Sequence, residues 1–388
     1  MTRMRLLLVG LPAAAVFLLC CAITRGGLFD NHPYGDVHLY GHYAREMTSG
    51  HWPYRDFFDE YPPVAQPLFL AVRLLPGSFV PGFKWTMAVF GAAAVVLLVL
   101  AIGGSLYRVV VAAGVAAVSP LLVGPVFLNT YDLFPAFLTA LALLAWLRGR
   151  ERATYVLLAL GVGAKIYPIV LLPLVLADWG RVRRALAWFG GVLALVHLPF
   201  AIAGPGGLRF SYWVQLRRGL EVESLGGSLL LVLDRLGLHR VALRDEAPGS
   251  RDAVGSLADA IAALSTVALV ATVLTIGWLY LRRRRDRLVA ASAAISAFVA
   301  FDKVLSPQYV DWLVALVPGA GLAAAAGLVA VLALTRAEWD RFVTAHGAVE
   351  HWGDVLSWWV LARNLALVGL VALLLVRLRA APRLRNHR

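Results

Sequence analysis

The sequence predicts an all-α, polytopic membrane helix bundle of about twelve crossings, with short juxtamembrane helices on the external side. Three observations carry this expectation. Hydrophobic residues make up 60% of the 388 positions and charged residues only 15%, far from ordinary soluble composition. Apolar runs of spanning length recur along the whole chain. The net charge of +13 is gathered into short clusters between those runs: RGRER at 148–152, RVRR at 181–184, RRRRDR at 282–287 and the tail RLRAAPRLRNHR. Such clusters mark short cytoplasmic loops, so the basic charge is a topology signal and does not point to a nucleic-acid partner. Length alone would suggest two or three domains, but spans that share one core make a single integral membrane domain over 1–388. The two cysteines, Cys20 and Cys21, are adjacent in the first apolar run and offer neither a disulfide framework nor a metal site.

Taken in order, residues 6–23 follow two arginines and read as an uncleaved first span with a cytoplasmic N-terminus, because no small-x-small cleavage site follows. Residues 24–81 are then external. Within them, 36–49 has helical spacing, with Asp36, Tyr40, Tyr43 and Met47 on one face and Gly50 as the stop. Residues 62–75, opened by a Pro-Pro pair, form a helix too short to span comfortably. Spans follow at 83–106, 109–126 and 133–147. One crossing over 153–180 would put RGRER and RVRR on opposite faces, so this stretch reads as two short helices meeting at Lys165–Pro168. Residues 186–203 lead to a second external loop, 204–255, whose middle suggests an interfacial amphipathic helix. Residues 256–281 return, and 289–318 repeat the broken arrangement around Asp302–Pro307. Residues 319–335, a third external loop at 336–354 and a span at 355–376 complete the chain, with both termini cytoplasmic.

The first external loop is acidic and aromatic, and unusually long for a segment without a function. Asp36 admits two readings, a helix cap or a general base that takes a proton from a sugar hydroxyl. Asp56, Asp59 and Glu60 are either a solvated turn or ligands of sugar hydroxyls; the Pro pair after Tyr61 favours Glu60. His38 and His42, with His32 and His51 nearby, lack the companions of a zinc site, so no metal is expected. Lys165 and Lys303 stand at matched breaks, where a lysine either snorkels to headgroups or holds a phosphate. Asp132 and His197, at outer span ends, read as structural.

Several segments together resemble glycosyltransferase family 87. They are Asp36 with Tyr40, Tyr43 and Ala44, then Pro53-Tyr54, Glu60-Tyr61-Pro62-Pro63, Ala164-Lys165-Ile166-Tyr167-Pro168, Arg218 through Leu225, and Lys303-Val304-Leu305-Ser306-Pro307-Gln308-Tyr309. The likeness runs from about residue 29 to 318. It implies the GT-C membrane fold and an inverting, polyprenyl-phosphate-mannose-dependent α-mannosyltransferase of the cell envelope in the plasma membrane. The catalytic base falls on Asp36. Lys165, Lys303 or Arg218 would hold the donor phosphate. Tyr40, Tyr43, Trp52, Glu60, Tyr61, Glu223, Gln308 and Tyr309 would contact sugar or acceptor. The partners implied are a lipid-phosphate-linked sugar as co-substrate, a glycolipid or lipoglycan acceptor and the bilayer, with no cofactor. Independently, no dinucleotide-type glycine fingerprint and no large cytoplasmic domain is present to hold a nucleotide sugar.

Two other classes remain. A transporter or flippase fits the paired proline breaks around Lys165 and Lys303, although both breaks fall at the outer surface and the first loop has no counterpart in the second half. A scaffold protein with a degenerate site would make Asp36 dispensable.

Overall fold

Apolar runs bounded by glycine, proline or arginine become helices in the order the hydropathy pattern lays out. The computed structural model describes residues 3–31, 35–247, 250–282, 286–344 and 355–380. The first half comprises α1 (Arg3–Ile23), α2 (Val37–Thr48), α3 (Ala65–Arg73), α4 (Phe79–Ala101), α5 (Leu106–Val123), α6 (Val126–Asn129), α7 (Leu133–Leu147), α8 (Glu151–Ala164) and α9 (Leu172–Trp179). Then come α10 (Val182–Ala185) and α11 (Gly191–Ala203), joined through a π-helical stretch, α12 (Pro205–Arg217), β1 (Leu220–Glu221), α13 (Leu225–Arg235), β2 (Ala242–Ala247) and β3 (Ser250–Val254). The chain closes with α14 (Ser256–Arg282), α15 (Arg287–Phe301), α16 (Asp311–Val314), α17 (Leu322–Thr344) and α18 (Val355–Ala380). Among the described residues, seven helical stretches are long and apolar enough to cross a membrane, and α7, Tyr167–Trp179 and α15 are shorter apolar helices.

The core lies where α1, α4, α5, α7, α15, α17 and α18 pack on one another. Small residues allow the close approach. A Cβ on Gly91 of α4 would stand 2.3 Å from the Phe17 ring of α1, and α15 is rich in buried alanine and serine. By contrast, no residue of α11 is buried and only a few of α14 are. The first leans on α8 and α12, the second on α9, α13, α15 and α18.

The two-helix reading of 153–180 holds. Lys165 is extended (φ −158°, ψ 140°), and Pro168 opens a 3₁₀ turn, Tyr167–Leu171, where its missing N–H is harmless. Gly180, left-handed at φ 60°, stops α9. Arg181 and Arg184 both reach Glu151, at 3.1 and 3.3 Å, so RGRER and RVRR lie at one end of the bundle. The second break is a string of 3₁₀ and α turns, Pro307–Val310, α16 and Val317–Ala320. Gly319 packs by Leu98 of α4, Ile102 just beyond it and Leu288 of α15, back at the basic end.

Two segments differ from the sequence reading. The second loop holds two helices instead of one, because Ser224 N-caps α13 by accepting from Gly227 N at 3.1 Å. It also holds a three-stranded antiparallel sheet in the order β1-β3-β2, with Leu220 opposite Ala253 and Arg244 opposite Asp252. In the range read as a third loop, α17 continues as helix to Thr344. The rest of that range, with His346, lies outside the described residues, as do His32 and Arg284.

Candidate functional site

At the loop end of the bundle, Gly35 turns the chain with φ +66°, close against Asn129 O. Asp36 follows at the start of α2, yet its side chain makes no cap hydrogen bond. Its Oδ2 accepts instead from Tyr40 OH at 3.3 Å and Tyr61 OH at 3.4 Å. The cap reading therefore does not describe this carboxylate. Tyr40 and Tyr61 meet edge to face at 5.3 Å, Tyr40 stacks on Phe69 at 4.7 Å, and Tyr131 closes the group at 5.1 Å from Tyr61. Burial raises the Asp36 carboxyl above its ordinary value; Lys165 opposes the rise and Asp132 adds to it.

Lys165 points into the same region. Its Nζ lies 2.6 Å from Asp132 Oδ1 and sits 5.0, 4.9 and 5.2 Å from the ring centres of Tyr131, Tyr309 and Trp312. It is thus held by a counter-ion and an aromatic cage and does not snorkel outward. Asp132 takes one of its three N–H donors. Trp312 Nε1 donates to the same Asp132 oxygen at 2.7 Å, and Tyr131 OH donates to Ala164 O at 2.9 Å, so α7, α8 and the second break share one polar knot.

Glu60 and Arg218 approach from the two loops. Gln215 Nε2 of α12 donates to Glu60 Oε2 at 3.5 Å. Burial and then the Asp36 charge raise the Glu60 carboxyl, while Arg218 and Lys165 pull it back. Asp36, Arg218 and Lys165 therefore all lie within electrostatic reach of Glu60. Arg218 Nη2 donates to Ser250 Oγ at 2.7 Å and to Glu221 Oε1 at 3.3 Å. Asp59, fully buried, accepts from Tyr61 N at 2.8 Å, and burial pushes its carboxyl up to about 7.

The loops dock backbone to backbone. Tyr54, left-handed at φ 66°, donates through its hydroxyl to Tyr61 O, and its own carbonyl faces α12. A Cβ on Gly207 would stand 1.8 Å from Tyr54 O.

The other expected residues lie differently. Tyr43 is buried, stacked on Phe57 at 5.7 Å. Trp52 is 44% exposed and meets Phe200 of α11. Lys303 Nζ donates to Leu216 O at 3.0 Å and to Arg218 O, so it closes the C-terminus of α12. Gln308 accepts locally from Ser306 Oγ at 2.6 Å, whereas Tyr309 stacks on Trp312 at 4.2 Å within the lysine cage. The Glu223 carbonyl is held by α18. His38 and His42 are exposed, and His51 Nδ1 pairs with Glu46 at 2.7 Å. His197 bridges Leu193 O and Tyr212 OH, each at 2.7 Å. Asp56 pairs with Arg55 at 2.8 Å on the surface. Among the described residues, no group of three or more His, Cys, Asp or Glu could hold a metal.

Sequence reasoning undervalued Asp132 and missed Tyr131, Trp312, Glu221 and Ser250. The polar quartet Asn129–Asp132 between two apolar runs, at the same end as Lys165, was the available signal.

Two crystal structures of ArnT from Cupriavidus metallidurans are similar to this chain. The form bound to undecaprenyl phosphate has 16% identity and a TM-score of 0.49, and the apo form 16% and 0.45; in each case 97% of this chain and 77% of the other are covered. No curated protein matches the sequence. The profile of glycosyltransferase family 87 matches residues 58–307, which takes in Glu60, Lys165, Arg218 and Lys303 but begins after Asp36 and ends before Gln308. That stretch is well over half of the sequence, and the chain belongs to glycosyltransferase family 87.

Proposed function

We propose that the protein moves a sugar, mannose, from a polyprenyl-phosphate donor to a hydroxyl of an envelope glycolipid or lipoglycan, with inversion, on the extracytoplasmic face of the plasma membrane. The observation that carries this reading is the half-buried Asp36 carboxylate, held by the Tyr40 and Tyr61 hydroxyls and within the field of Lys165, with Glu60 beside it in the field of both Lys165 and Arg218. A base with cations in its neighbourhood is what displacement at a phosphorylated sugar needs. Asp36 accepts the proton of the acceptor hydroxyl. The oxygen bonds to C1 of the sugar from the face opposite the phosphate. The C1–O bond to phosphate breaks, and the polyprenyl phosphate leaves with the electron pair, its charge held by Lys165 and Arg218. A base whose carboxyl is raised by burial takes a hydroxyl proton more readily than an ordinary aspartate. The bare faces of α11 and α14 offer the lipid tail a sideways approach from the bilayer. The basic clusters at the opposite end are read as cytoplasmic.

Purified protein incubated with synthetic polyprenyl-phosphate-mannose and a panel of glycolipid acceptors tests this. Formation of an α-mannosylated lipid that depends on Asp36 supports it. Movement of the intact donor across proteoliposomes without transfer would instead identify a flippase.

A further inference from the structure

The second loop is fastened from behind by a buried charge cluster on α17 and α18, beyond the residues matched by the family. Arg363 and Asn364, adjacent on α18, are fully buried. Arg363 Nη2 donates to Glu223 O at 2.6 Å, and Asn364 Nδ2 donates to the same carbonyl at 3.0 Å. Arg363 Nε donates to Asn364 Oδ1 at 3.2 Å, and Asn364 Nδ2 also reaches Ser228 Oγ of α13 at 2.9 Å. Glu338 of α17 compensates the charge, its Oε2 2.8 Å from Arg363 Nη1.

One hydrogen bond satisfies a buried carbonyl, and well-packed apolar residues stabilise a helix pair as well as a buried ion pair does. Charged groups in membrane helices are costly and usually serve function. What this clamp grips is the turn between β1 and α13. On its far side, Val222 N donates to Arg251 O and Glu221 N to Lys303 O, each at 3.0 Å. At its start, the Glu221 carboxylate receives both Arg218 and Ser250. The turn therefore sets where Glu221 aims the Arg218 guanidinium.

We propose that Arg363, supported by Asn364 and Glu338, is a positioning residue that holds this turn so that Arg218 meets the donor phosphate. The inference rests on the reading of Arg218 as a phosphate ligand.

The test combines variants in a cycle. In Arg363→Met/Glu338→Gln both members of the ion pair go together, and the Glu223 carboxyl beside them is left to take up a proton. Its melting temperature should stay near the parent's while the donor KM rises about tenfold and the acceptor KM holds. Arg363→Lys, which keeps one donor and the charge, should fall between. Added to Arg218→Ala, the double change should have no further effect, since it acts through Arg218. Multiplying effects, or a parental donor KM in the Arg363→Met/Glu338→Gln protein, would overturn the proposal. A silent Arg218→Ala would instead remove the phosphate reading beneath it. Should the charge variant not fold, Asn364→Ala with hydrogen exchange of the Val222 and Ser224 amides decides: faster exchange than the parent supports the clamp, and unchanged protection refutes it.

Discussion

Lys165 Nζ stands 2.6 Å from Asp132 Oδ1, with Asp132 fully buried and the lysine ringed by Tyr131, Tyr309 and Trp312. An ion pair this enclosed cannot lose one member without leaving the other stranded. Lys165→Met should lower stability by about 3–5 kcal/mol and weaken donor binding. Lys165→Met/Asp132→Asn should recover most of the stability but not the donor affinity. Thermal unfolding beside titration with a polyprenyl phosphate measures both. Full recovery of binding in the double variant would make the lysine purely structural.

Asp36→Asn removes the proton acceptor and keeps the size of the side chain. Because the parent side chain does not cap α2, melting should barely move. Transfer should slow by roughly 10²–10⁴-fold. Near-normal turnover would shift the base to Glu60, which shares the cationic surroundings.

Asp59 has a carboxyl pushed up to about 7 in the fold, above its ordinary 3.8. The folded protein therefore binds this proton more tightly than the unfolded chain, and the associated stability is full below about pH 4 and lost as pH rises through 7. Asp59→Asn, neutral throughout, should flatten the melting temperature between pH 4 and 8. An unchanged slope would assign it to other groups, Glu221 first, since burial pushes its carboxyl to about 7 as well.

Gly207→Ala puts a methyl 1.8 Å from Tyr54 O, a backbone atom, so one of the two backbones must shift. The first and second loops should fail to dock, with loss of both yield and turnover. Gly206→Ala, with open space around it, is the matched control. Equal behaviour of the two would mean that the loops do not meet in this way.

Orientation is testable by labelling. In a Cys20→Ala/Cys21→Ala background, Arg150→Cys and Arg183→Cys should resist an impermeant thiol reagent in whole cells, whereas His51→Cys and His239→Cys should react. Reaction at only one of the two arginine positions would break the hairpin around Lys165.

The spans were legible because membrane helices must be apolar and must satisfy their own backbone. Even the break at Lys165 followed, from charge bias and the polar, proline-bearing interruption at 165–168. The sheet was not, because β1 and β3 are short, and Leu220 meets Ala253 across a long stretch of sequence. Asp36, Glu60 and Lys165 stood out as charges among apolar and aromatic neighbours. Lys303 matched Lys165 in context, yet it serves the carbonyls of α12, a role that depends on where another helix happens to end. The charges from Arg336 on, Glu338 among them, ended the apolar pattern too early for α17; the partner that lets Glu338 stay in the helix, Arg363, lies on a different helix.

Arg218 leaves α12, which hangs from α11, while its partner Ser250 begins the strand that leads into α14. The 2.7 Å contact between them thus joins the ends of two helices that are long and apolar enough to cross a membrane and whose sides are largely bare of protein. Each such helix tilts to match the hydrocarbon around it, at a fraction of a kcal/mol per Å of mismatch. Membrane thickness becomes a variable of the site: nanodiscs of short and long acyl chains would set α11 and α14 at different inclinations and so strain the guanidinium–hydroxyl contact to different degrees. The bilayer is then part of the catalyst's tolerance, and a preparation stripped of lipid loses a wall of the protein along with its solvent.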